Sequence, residues 1–265
     1  FFVDVRDGAT AAAQSAGITL NVVDAQNDAA TQANQIQTAV AAKAAGIIIN
    51  AVDSDAAGAA VKPALDAKLP VVAVDRAVNG ATVTSFIASD NVAGGKQGAD
   101  ALAKAIGNKG KIIVLQGTVG TSASRDRGQG FSEGLKNYPD IQVVAEQTAN
   151  FDRTQGLDVA TNLLQAHPDI VGIFAENDEM ALGALQALGD KAGKSVFVVG
   201  FDGTADGLTA VKNGTMYATI AQQPKELGKA AVNAMAQALN GQSVPPTQPV
   251  PVQTVTAANV SDFLK

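Results

Sequence analysis

Residues 170–185, IVGIFAENDEMALGAL, contain the pattern that decides the fold. Ile170 to Phe174 is a short, partly β-branched apolar run, which is typical of a strand buried on both faces. Apolar residues with helical spacing follow from Met180 onward. We interpret the acidic pair Asp178-Glu179 between them as favourable charge at the N-terminus of that helix and not as acid-base machinery. The stretch therefore predicts one strand-helix unit of an α/β fold.

The same pattern recurs along the chain. Further apolar runs occur at Ile47 to Ile49, Val71 to Val74, Ile112 to Leu115 and Val196 to Val199. Ala-rich stretches with helical spacing separate them, and this alternation predicts parallel sheets covered by helices on both faces, a doubly wound α/β architecture. Because the runs form one set before Ser89 and another from Lys111 to Ile220, we predict two lobes and not one barrel.

Composition excludes several classes of function. The 265 residues include no Cys and one His, so a disulfide framework, a Cys-type zinc site, a thiol nucleophile and a multi-histidine metal centre are excluded, and we expect neither a metal nor another cofactor. A formal charge of −6 without a compensating basic run argues against nucleic acid as a partner. The apolar runs are too short to cross a bilayer, so we expect a soluble chain from which any export signal has been removed.

Polar side chains follow most of the predicted strands, at the sheet edge where ligands bind in open α/β folds. They are Asn50, Asp75, Arg76, Asn177, Asp202 and Gln222. Carboxylates accept hydrogen bonds from hydroxyls, arginine donates them and amides do both, which is the inventory that a neutral polyol requires. Phe1, Phe2 and Phe151 add aromatic faces suited to the C–H faces of a sugar ring. The pattern favours a carbohydrate ligand, while Asp and Asn after strands are also ordinary turn and cap residues.

The glycine-rich stretches indicate turns and close helix packing more than a phosphate-binding loop. Gly117-Thr118-Val119-Gly120 follows a strand but lacks the G-x-G-x-x-G spacing of a dinucleotide site, so we predict a tight strand-to-helix turn. Gly128, Gly130 and Gly134 lie in a predicted helix, where we expect them to permit close packing.

Longer strings make the chain resemble a known family. They are Ala88-Ser89-Asp90-Asn91, Gly120-Thr121-Ser122 with Arg125-Asp126-Arg127-Gly128, Phe151-Asp152-Arg153, Asn177 to Ala184, and Val199 to Thr204. In these strings, and over nearly its whole length, the chain closely resembles bacterial ribose-binding proteins, the periplasmic sugar-binding receptors of ABC importers. The resemblance implies a periplasmic-binding-protein-like type I fold, with two doubly wound parallel-sheet lobes joined by a three-segment hinge.

The resemblance also implies which residues hold the sugar. From the first lobe they are Phe1, Phe2, Asn50, Asp75 and Arg76. From the second lobe and its hinge border they are Arg127, Phe151, Asn177, Phe201, Asp202 and Gln222. By the same comparison the two Asp residues accept sugar hydroxyls, the two Arg residues donate to them, and the amides fix the orientation of the ring.

Lobe boundaries follow from the same comparison. Residues 1–89 plus 223–250 are expected to form the N-terminal lobe, and residues 90–222 plus 251–265 the C-terminal lobe. Hinges are expected near Ser89-Asp90, Gln222-Gln223 and Pro249 to Val252, with Pro251 restricting φ in the third. The Pro-rich stretch from Pro245 is expected to run extended along a sheet edge. The family also has an apolar strand before the paired Phe residues, so we expect one from residues preceding Phe1 or from elsewhere.

The function that the resemblance implies is that of an exported receptor, in the periplasm or at the outer face of a membrane, and not of an enzyme. Such a receptor closes around D-ribose or a similar monosaccharide between its lobes and delivers it to the membrane subunits of an ABC permease. A chemoreceptor is a further expected partner, and a monomer is the expected state. The alternatives are a receptor for another pentose, allose or a furanosyl signal, the effector-binding core of a LacI-type repressor, and a doubly wound enzyme.

Overall fold

The computed structural model describes residues 1–264, and its chain divides into two compact units. The first unit comprises Phe1–Ser89, Gly120–Ser122 and Gln223–Pro251, and the second comprises Asp90–Val119, Ala123–Gln222 and residues 252–264. These units differ from the predicted lobes at Gly120–Ser122 and at Pro251, which both group with the first unit. Hydrogen bonds to residues of the first unit explain why these residues group with it. The carbonyl of Gly120 accepts from Ser54 N at 3.0 Å, and the carbonyl of Pro251 accepts from Gln223 Nε2 at 2.9 Å.

Helices and strands alternate through most of the chain. In chain order they are α1 (Phe2–Ser15), α2 (Ala29–Ala41), β1 (Ile47–Ile49), α3 (Ala57–Asp66), β2 (Val71–Val74), β3 (Ser85–Ser89), α4 (Asn91–Ala105), β4 (Gly110–Gln116), α5 (Ser122–Leu135), β5 (Ile141–Thr148), α6 (Arg153–Ala166), β6 (Ile170–Ala175), α7 (Asp178–Leu188), β7 (Phe197–Asp202), α8 (Ala205–Lys212), β8 (Ala218–Ala221), α9 (Pro224–Leu239), β9 (Thr247–Val250) and β10 (Gln253–Thr256). None of these described helices has the length and apolar character needed to cross a bilayer.

The first unit is built on a parallel sheet with the strand order β1-β2-β3-β9. Alternate residues of β2 point to opposite faces of this sheet. Val71 and Ala73 pack with side chains of α2 and α3, whereas Val72 and Val74 pack with side chains of α1 and α9. Helices therefore cover both faces, as the apolar run predicted.

The second unit has a larger sheet with the strand order β10-β8-β7-β6-β4-β5. Residues of β4 again divide between two cores: Ile113 and Leu115 pack against α6 and α7, and Ile112 and Val114 pack against α4 and α5. The strand pairs described in this sheet are parallel, as predicted, except that β10, a strand the sequence did not predict, pairs antiparallel with β8. The chain enters β10 directly from the Pro251-Val252 segment without a crossover helix, and parallel pairing depends on such a crossover.

The Pro-rich segment lies at a sheet edge, as predicted. Strand β9 ends the order of the first sheet beside β3, with Pro249 opposite Ala88. Proline has no N–H to donate, so an edge strand is where its ring costs least. At the other end, β1 pairs with β2 alone within residues 1–264, and the strand expected before Phe1 stays a prediction.

Glycine allows α1 and α9 to approach closely. A Cβ on Gly228 would overlap the carbonyl oxygen of Val5, and one on Gly8 would overlap the carbonyl oxygen of Lys225. Both obstacles are helix backbone, which cannot move aside as a flexible side chain can.

We therefore expect Gly228→Ala to lower the free energy of unfolding by about 2 kcal/mol, in spite of the better helix propensity of alanine. Urea denaturation measures this. The control is Asn233→Ala, an exposed position on the same helix, where we expect a change within about 0.5 kcal/mol. Equal stability of Gly228→Ala and the unsubstituted protein would contradict the close contact.

Candidate functional site

In the first unit, three of the predicted residues lie together at the carboxyl ends of two neighbouring strands. Asn50 follows β1 directly, and Asp75 and Arg76 follow β2. The two strands are parallel, with Ile49 opposite Ala73, so they end at the same edge of the sheet. The alternation of short strands and helices is thus what brings these side chains together.

Arg76 links the polar and aromatic members of this group. Its Nη1 donates to the carbonyls of Ala51 and Val52, each at 3.3 Å, and its Nε lies 3.9 Å from Oδ2 of Asp75. The guanidinium carbon is 5.6 Å from the centroid of the Phe2 ring, within cation–π range. Phe1 and Phe2 form an edge-on pair with centroids 5.1 Å apart. Aromatic faces and charged groups therefore occur side by side in this unit.

The Asn50 side chain offers an acceptor that the protein does not use. The main-chain carbonyl of Asn50 accepts from Gln32 Nε2 at 2.8 Å, and Oε1 of the same Gln32 side chain accepts from Val52 N at 3.0 Å. These two bonds fix the loop after β1. The side-chain Oδ1 of Asn50 is buried and accepts no hydrogen bond within residues 1–264. A buried acceptor without a partner costs about 1–3 kcal/mol, so a hydroxyl donor from a ligand is the chemistry that satisfies it.

In the second unit, Arg127 is the centre of the predicted group. Its Nε donates to Oδ1 of Asn91 at 2.9 Å, and its Nη1 donates to the carbonyl of Glu176 at 2.6 Å. The guanidinium carbon lies 3.9 Å from the centroid of the Phe201 ring and 5.7 Å from that of Phe151. These contacts hold the charged head in one orientation, as recognition by directed donors requires.

Asp202 completes this second group together with Gln222. The carboxylate oxygen Oδ1 of Asp202 accepts from Gln222 Nε2 at 2.6 Å and lies 3.6 Å from Nη1 of Arg127. The main chain adds a hydrogen bond of 3.0 Å from Gln222 N to the carbonyl of Asp202. Because β7 and β8 are parallel neighbours, their ends bring the carboxylate and the amide together.

Two predicted residues have structural roles: Asn177 caps a helix, as the sequence also allowed, and Phe201 is buried in the core, which the sequence did not indicate. Asn177 is the N-cap of α7, with Oδ1 accepting from Met180 N at 2.9 Å, which is the ordinary cap function of an Asn after a strand. Its Nδ2 donates to the carbonyl of Phe151 at 3.3 Å. Phe201 is fully buried in the core beneath the Arg127 guanidinium, so its contact with a ligand stays a prediction.

Backbone strain marks three of the candidate residues. Asp75, Phe151 and Asp202 have positive φ values of 66°, 58° and 122°. Such conformations cost side-chain-bearing residues about 1–3 kcal/mol and persist where surrounding structure enforces them, often at ligand clamps. The Phe151 ring also packs so closely on Gly117 that a Cβ there would overlap it. The strain therefore supports a functional reading of these positions.

The predicted turn and the predicted glycine packing are confirmed. Gly117 to Gly120 connects β4 to α5 without regular structure of its own. A Cβ on Gly130 would overlap the carbonyl of Val92 in α4, and one on Gly134 would lie 2.7 Å from Cβ of Ala99. The α4–α5 contact places Asn91 next to Arg127, a neighbour that the sequence did not identify.

The sequence did not reveal that two carboxylates near these strand ends are buried. Glu176, after β6, accepts from Gly117 N at 2.7 Å and from the hydroxyl of Ser124. Asp178, the first residue of α7, accepts from Thr204 N at 2.8 Å and from the hydroxyl of Thr219 at 2.7 Å. Burial raises the pKa of Glu176 to about 7 and that of Asp178 to about 6, against the lowering effect of these hydrogen bonds. Glu179, the other member of the predicted acidic pair, is by contrast partly exposed and forms an ion pair with Arg153.

Each unit thus presents a carboxylate, a guanidinium, an amide and aromatic rings at the carboxyl end of its sheet. Within residues 1–264 no cluster of three or more His, Cys, Asp or Glu side chains is placed to hold a metal ion. The carboxylate and the guanidinium balance each other in charge, as Asp75 with Arg76 and Asp202 with Arg127. The chemistry available is the binding of a neutral ligand rich in hydroxyl groups.

This combination of fold and strand-end groups is that of a solute receptor of the type I class, and sequence comparison places the chain in a defined family. Residues 1–243 match the periplasmic binding protein domain. The chain therefore belongs to the periplasmic binding protein family.

Individual relatives are similar over almost the whole chain. The ribose import binding protein RbsB of Salmonella typhimurium is 47% identical over 255 residues, which are 96% of this chain and 86% of that protein. The protein of the same name in Bacillus subtilis is 42% identical, covering 97% of this chain and 83% of its own length. The crystal structure of a periplasmic solute binding protein from Actinobacillus succinogenes with bound D-allose has a TM-score of 0.91 at 32% identity, and covers 98% of this chain and 94% of that one.

Proposed function

We propose that this chain is a periplasmic receptor for a neutral monosaccharide, with D-ribose as its preferred ligand, and that it delivers the sugar to an ABC permease. The support is the family membership together with the 42–47% identity to ribose import binding proteins. We propose binding without chemical conversion, because the relatives are named as binding proteins.

The observation that carries the proposal is the pairing of carboxylate with guanidinium at the strand ends of each unit. Asp75 lies 3.9 Å from Arg76 Nε, and Asp202 lies 3.6 Å from Arg127 Nη1. Such pairs have no net charge, so they favour a ligand that is neutral and that both donates and accepts hydrogen bonds. A sugar ring meets this condition, and its C–H faces suit Phe2 and Phe151, which lie within 6 Å of these arginines.

Neither set alone has enough groups to satisfy all hydroxyls of a pentose, and we propose that both sets contact one sugar. Contacts completed only when both sets engage would favour a closed form, since a ligand shifts a conformational equilibrium by its difference in affinity for the two states. The permease and a chemoreceptor are the partners that we propose for that form.

A second candidate ligand is a related sugar, in particular allose. The solved structure from Actinobacillus succinogenes was described with bound D-allose, and other similar structures were described with D-arabinose and myo-inositol. Similar folds at about 30% identity therefore accommodate several polyols.

Isothermal titration with D-ribose, D-allose, D-arabinose and D-glucose tests the proposal. We expect ribose to bind most tightly and glucose at least about 10-fold more weakly, because an added hydroxymethyl group either collides or leaves a buried hydroxyl unpaired. If allose binds most tightly, allose and not ribose is the preferred ligand. Equal affinity for ribose and glucose, or no heat with ribose, would contradict it.

A further inference from the structure

Glu176 is a buried carboxylate next to the Arg127 group, and nothing in the sequence pattern had assigned it a role. It follows β6 immediately, and its side chain accepts from Gly117 N at 2.7 Å and from the hydroxyl of Ser124 on α5. A Cβ on Gly128 would lie 3.0 Å from its Oε1, so the absence of a side chain at Gly128 makes room for the carboxylate. Glu176 therefore joins the end of β4, the first turn of α5 and the end of β6.

The same residue is tied to Arg127 through its main chain. Arg127 Nη1 donates to the carbonyl of Glu176 at 2.6 Å and lies 3.6 Å from Oδ1 of Asp202. The charge of Arg127 also favours the ionised form of the Glu176 side chain. The guanidinium is thus attracted to two carboxylates, that of Glu176, which follows β6, and that of Asp202 at the end of β7.

Charged groups surround Glu176 from each neighbouring element. Arg127 on α5 favours its ionised form, whereas Glu146 on β5 disfavours it. Asp126 on α5 faces Arg125 and Arg127, and Asp178 is the first residue of α7, two positions after Glu176. Because burial raises the pKa of Glu176 to about 7, its two protonation states are both populated near neutral pH.

We propose that Glu176 is a positioning residue for sugar binding: its ionised carboxylate, packed along α5 beside the fixed guanidinium of Arg127, offsets part of that positive charge and leaves the Asp202 carboxylate freer to accept sugar hydroxyls. This inference rests on the proposed function. With Glu176 neutral, more of the positive charge of Arg127 acts on Asp202, which lies 3.6 Å from it, and a carboxylate engaged by a guanidinium is a poorer acceptor for a ligand.

Linkage makes the proposal measurable. If the ionised form of Glu176 binds the sugar more tightly, the sugar must in turn favour that form and release protons when it binds. For a coupling of about fivefold, the dissociation constant falls about fourfold between pH 5.5 and 8.5, and about 0.3 proton is released per sugar at pH 7.

The experiment is isothermal titration with D-ribose in two buffers of different ionisation enthalpy, at several pH values from 5.5 to 8.5. The slope of the observed heat against buffer enthalpy gives the number of protons released. We expect release in the unsubstituted protein with a maximum near pH 7, and its loss in Glu176→Gln. The glutamine keeps the size of the side chain and can accept from Gly117 N, so a merely structural role would leave the proton release unchanged.

Two further variants test the assignment without replacing Glu176. Ser124→Ala removes a hydrogen bond that favours the ionised form, and should move the pH of maximum release upward. Glu146→Gln removes a like charge, and should move it downward. Circular dichroism of each variant establishes that it is folded.

Opposite displacements in these two variants would support the proposal even if Glu176→Gln does not fold. Proton release that is absent in the unsubstituted protein, or unchanged in Glu176→Gln, would overturn it, as would displacements of the same sign in Ser124→Ala and Glu146→Gln. Absence of ribose binding at any pH would instead overturn the proposed function on which this inference rests.

Discussion

Asp202→Ala is expected to weaken ribose binding by about 100-fold or more. The carboxylate of Asp202 lies 3.6 Å from Nη1 of Arg127 and accepts from Gln222 Nε2 at 2.6 Å. Its removal deprives the sugar of an acceptor and leaves a buried guanidinium with less compensating charge. Losses of this kind amount to about 3 kcal/mol, which corresponds to about two orders of magnitude in the dissociation constant.

The substitution at Asp75 in the first unit should behave alike. Asp75 follows β2, has a positive φ of 66° and lies 3.9 Å from Nε of Arg76, so it matches Asp202 in position, strain and partner. Asp75→Ala is therefore expected to cost a similar factor in affinity. Loss of affinity in both variants would support the proposal that both sets of residues contact the sugar.

Isothermal titration measures these affinities, and thermal unfolding of each free variant checks the fold. Asp190→Ala, at an exposed position in the 3-10 turn after α7, is the matched control and should bind as the unsubstituted protein does. Asp202→Asn keeps the shape but replaces one acceptor oxygen by a donor, and we expect an intermediate loss. Binding of unchanged affinity by Asp202→Ala or Asp75→Ala would remove that residue from the site.

Much of the candidate site could be predicted because it lies at strand ends. An apolar run fixes where a parallel strand ends, and Asn50, Asp75 and Asp202 come directly at those ends. Parallel neighbours end at one edge, so these residues come close within each unit without any further information. The same logic could not separate a ligand contact from a helix cap, and Asn177 shows the reason, since capping α7 demands the same amide at the same place.

The residues that support the site could not be predicted from the strand pattern. Gln32 lies on α2 and fixes the backbone at Asn50, while Asn91 lies on α4 and holds Nε of Arg127. Their partners are separated from them by 18 and 36 positions, so no local spacing reports the contact. In the sequence Glu176 is a polar residue after a strand like several others. Only the packing of β4 and α5 around it shows that it is buried.

The direction of β10 shows a similar limit. Val255 and its neighbours form a short run that suits either orientation, and a crossover helix is the feature that selects parallel pairing. Since β10 is reached through Pro251 and not through a helix, only its hydrogen bonds to β8 define its direction.

Burial of Glu176 gives the second large expected effect, on the pH dependence of stability in the absence of ligand. The pKa of Glu176 is raised from 4.5 to about 7 in the folded chain. Between these two pH values the folded protein keeps a proton that the unfolded chain has lost, so the free energy of unfolding falls as the pH rises through this window. The fall amounts to about 3 kcal/mol, at about 1.4 kcal/mol per pKa unit.

Glu176→Gln cannot titrate and should lose this fall. We expect its free energy of unfolding, relative to that of the unsubstituted protein, to rise by about 3 kcal/mol between pH 4 and pH 8, whatever the offset at the lower pH. Asp178, whose pKa is raised to about 6, produces a fall of the same sign in both proteins, and this contribution cancels in the difference. Urea denaturation followed by circular dichroism gives both curves, with Glu226→Gln at an exposed position on α9 as the control that should show a smaller change. A difference between Glu176→Gln and the unsubstituted protein that stays constant with pH would mean that Glu176 is not buried as an ionisable group, and the coupling of sugar binding to its proton would lose its basis.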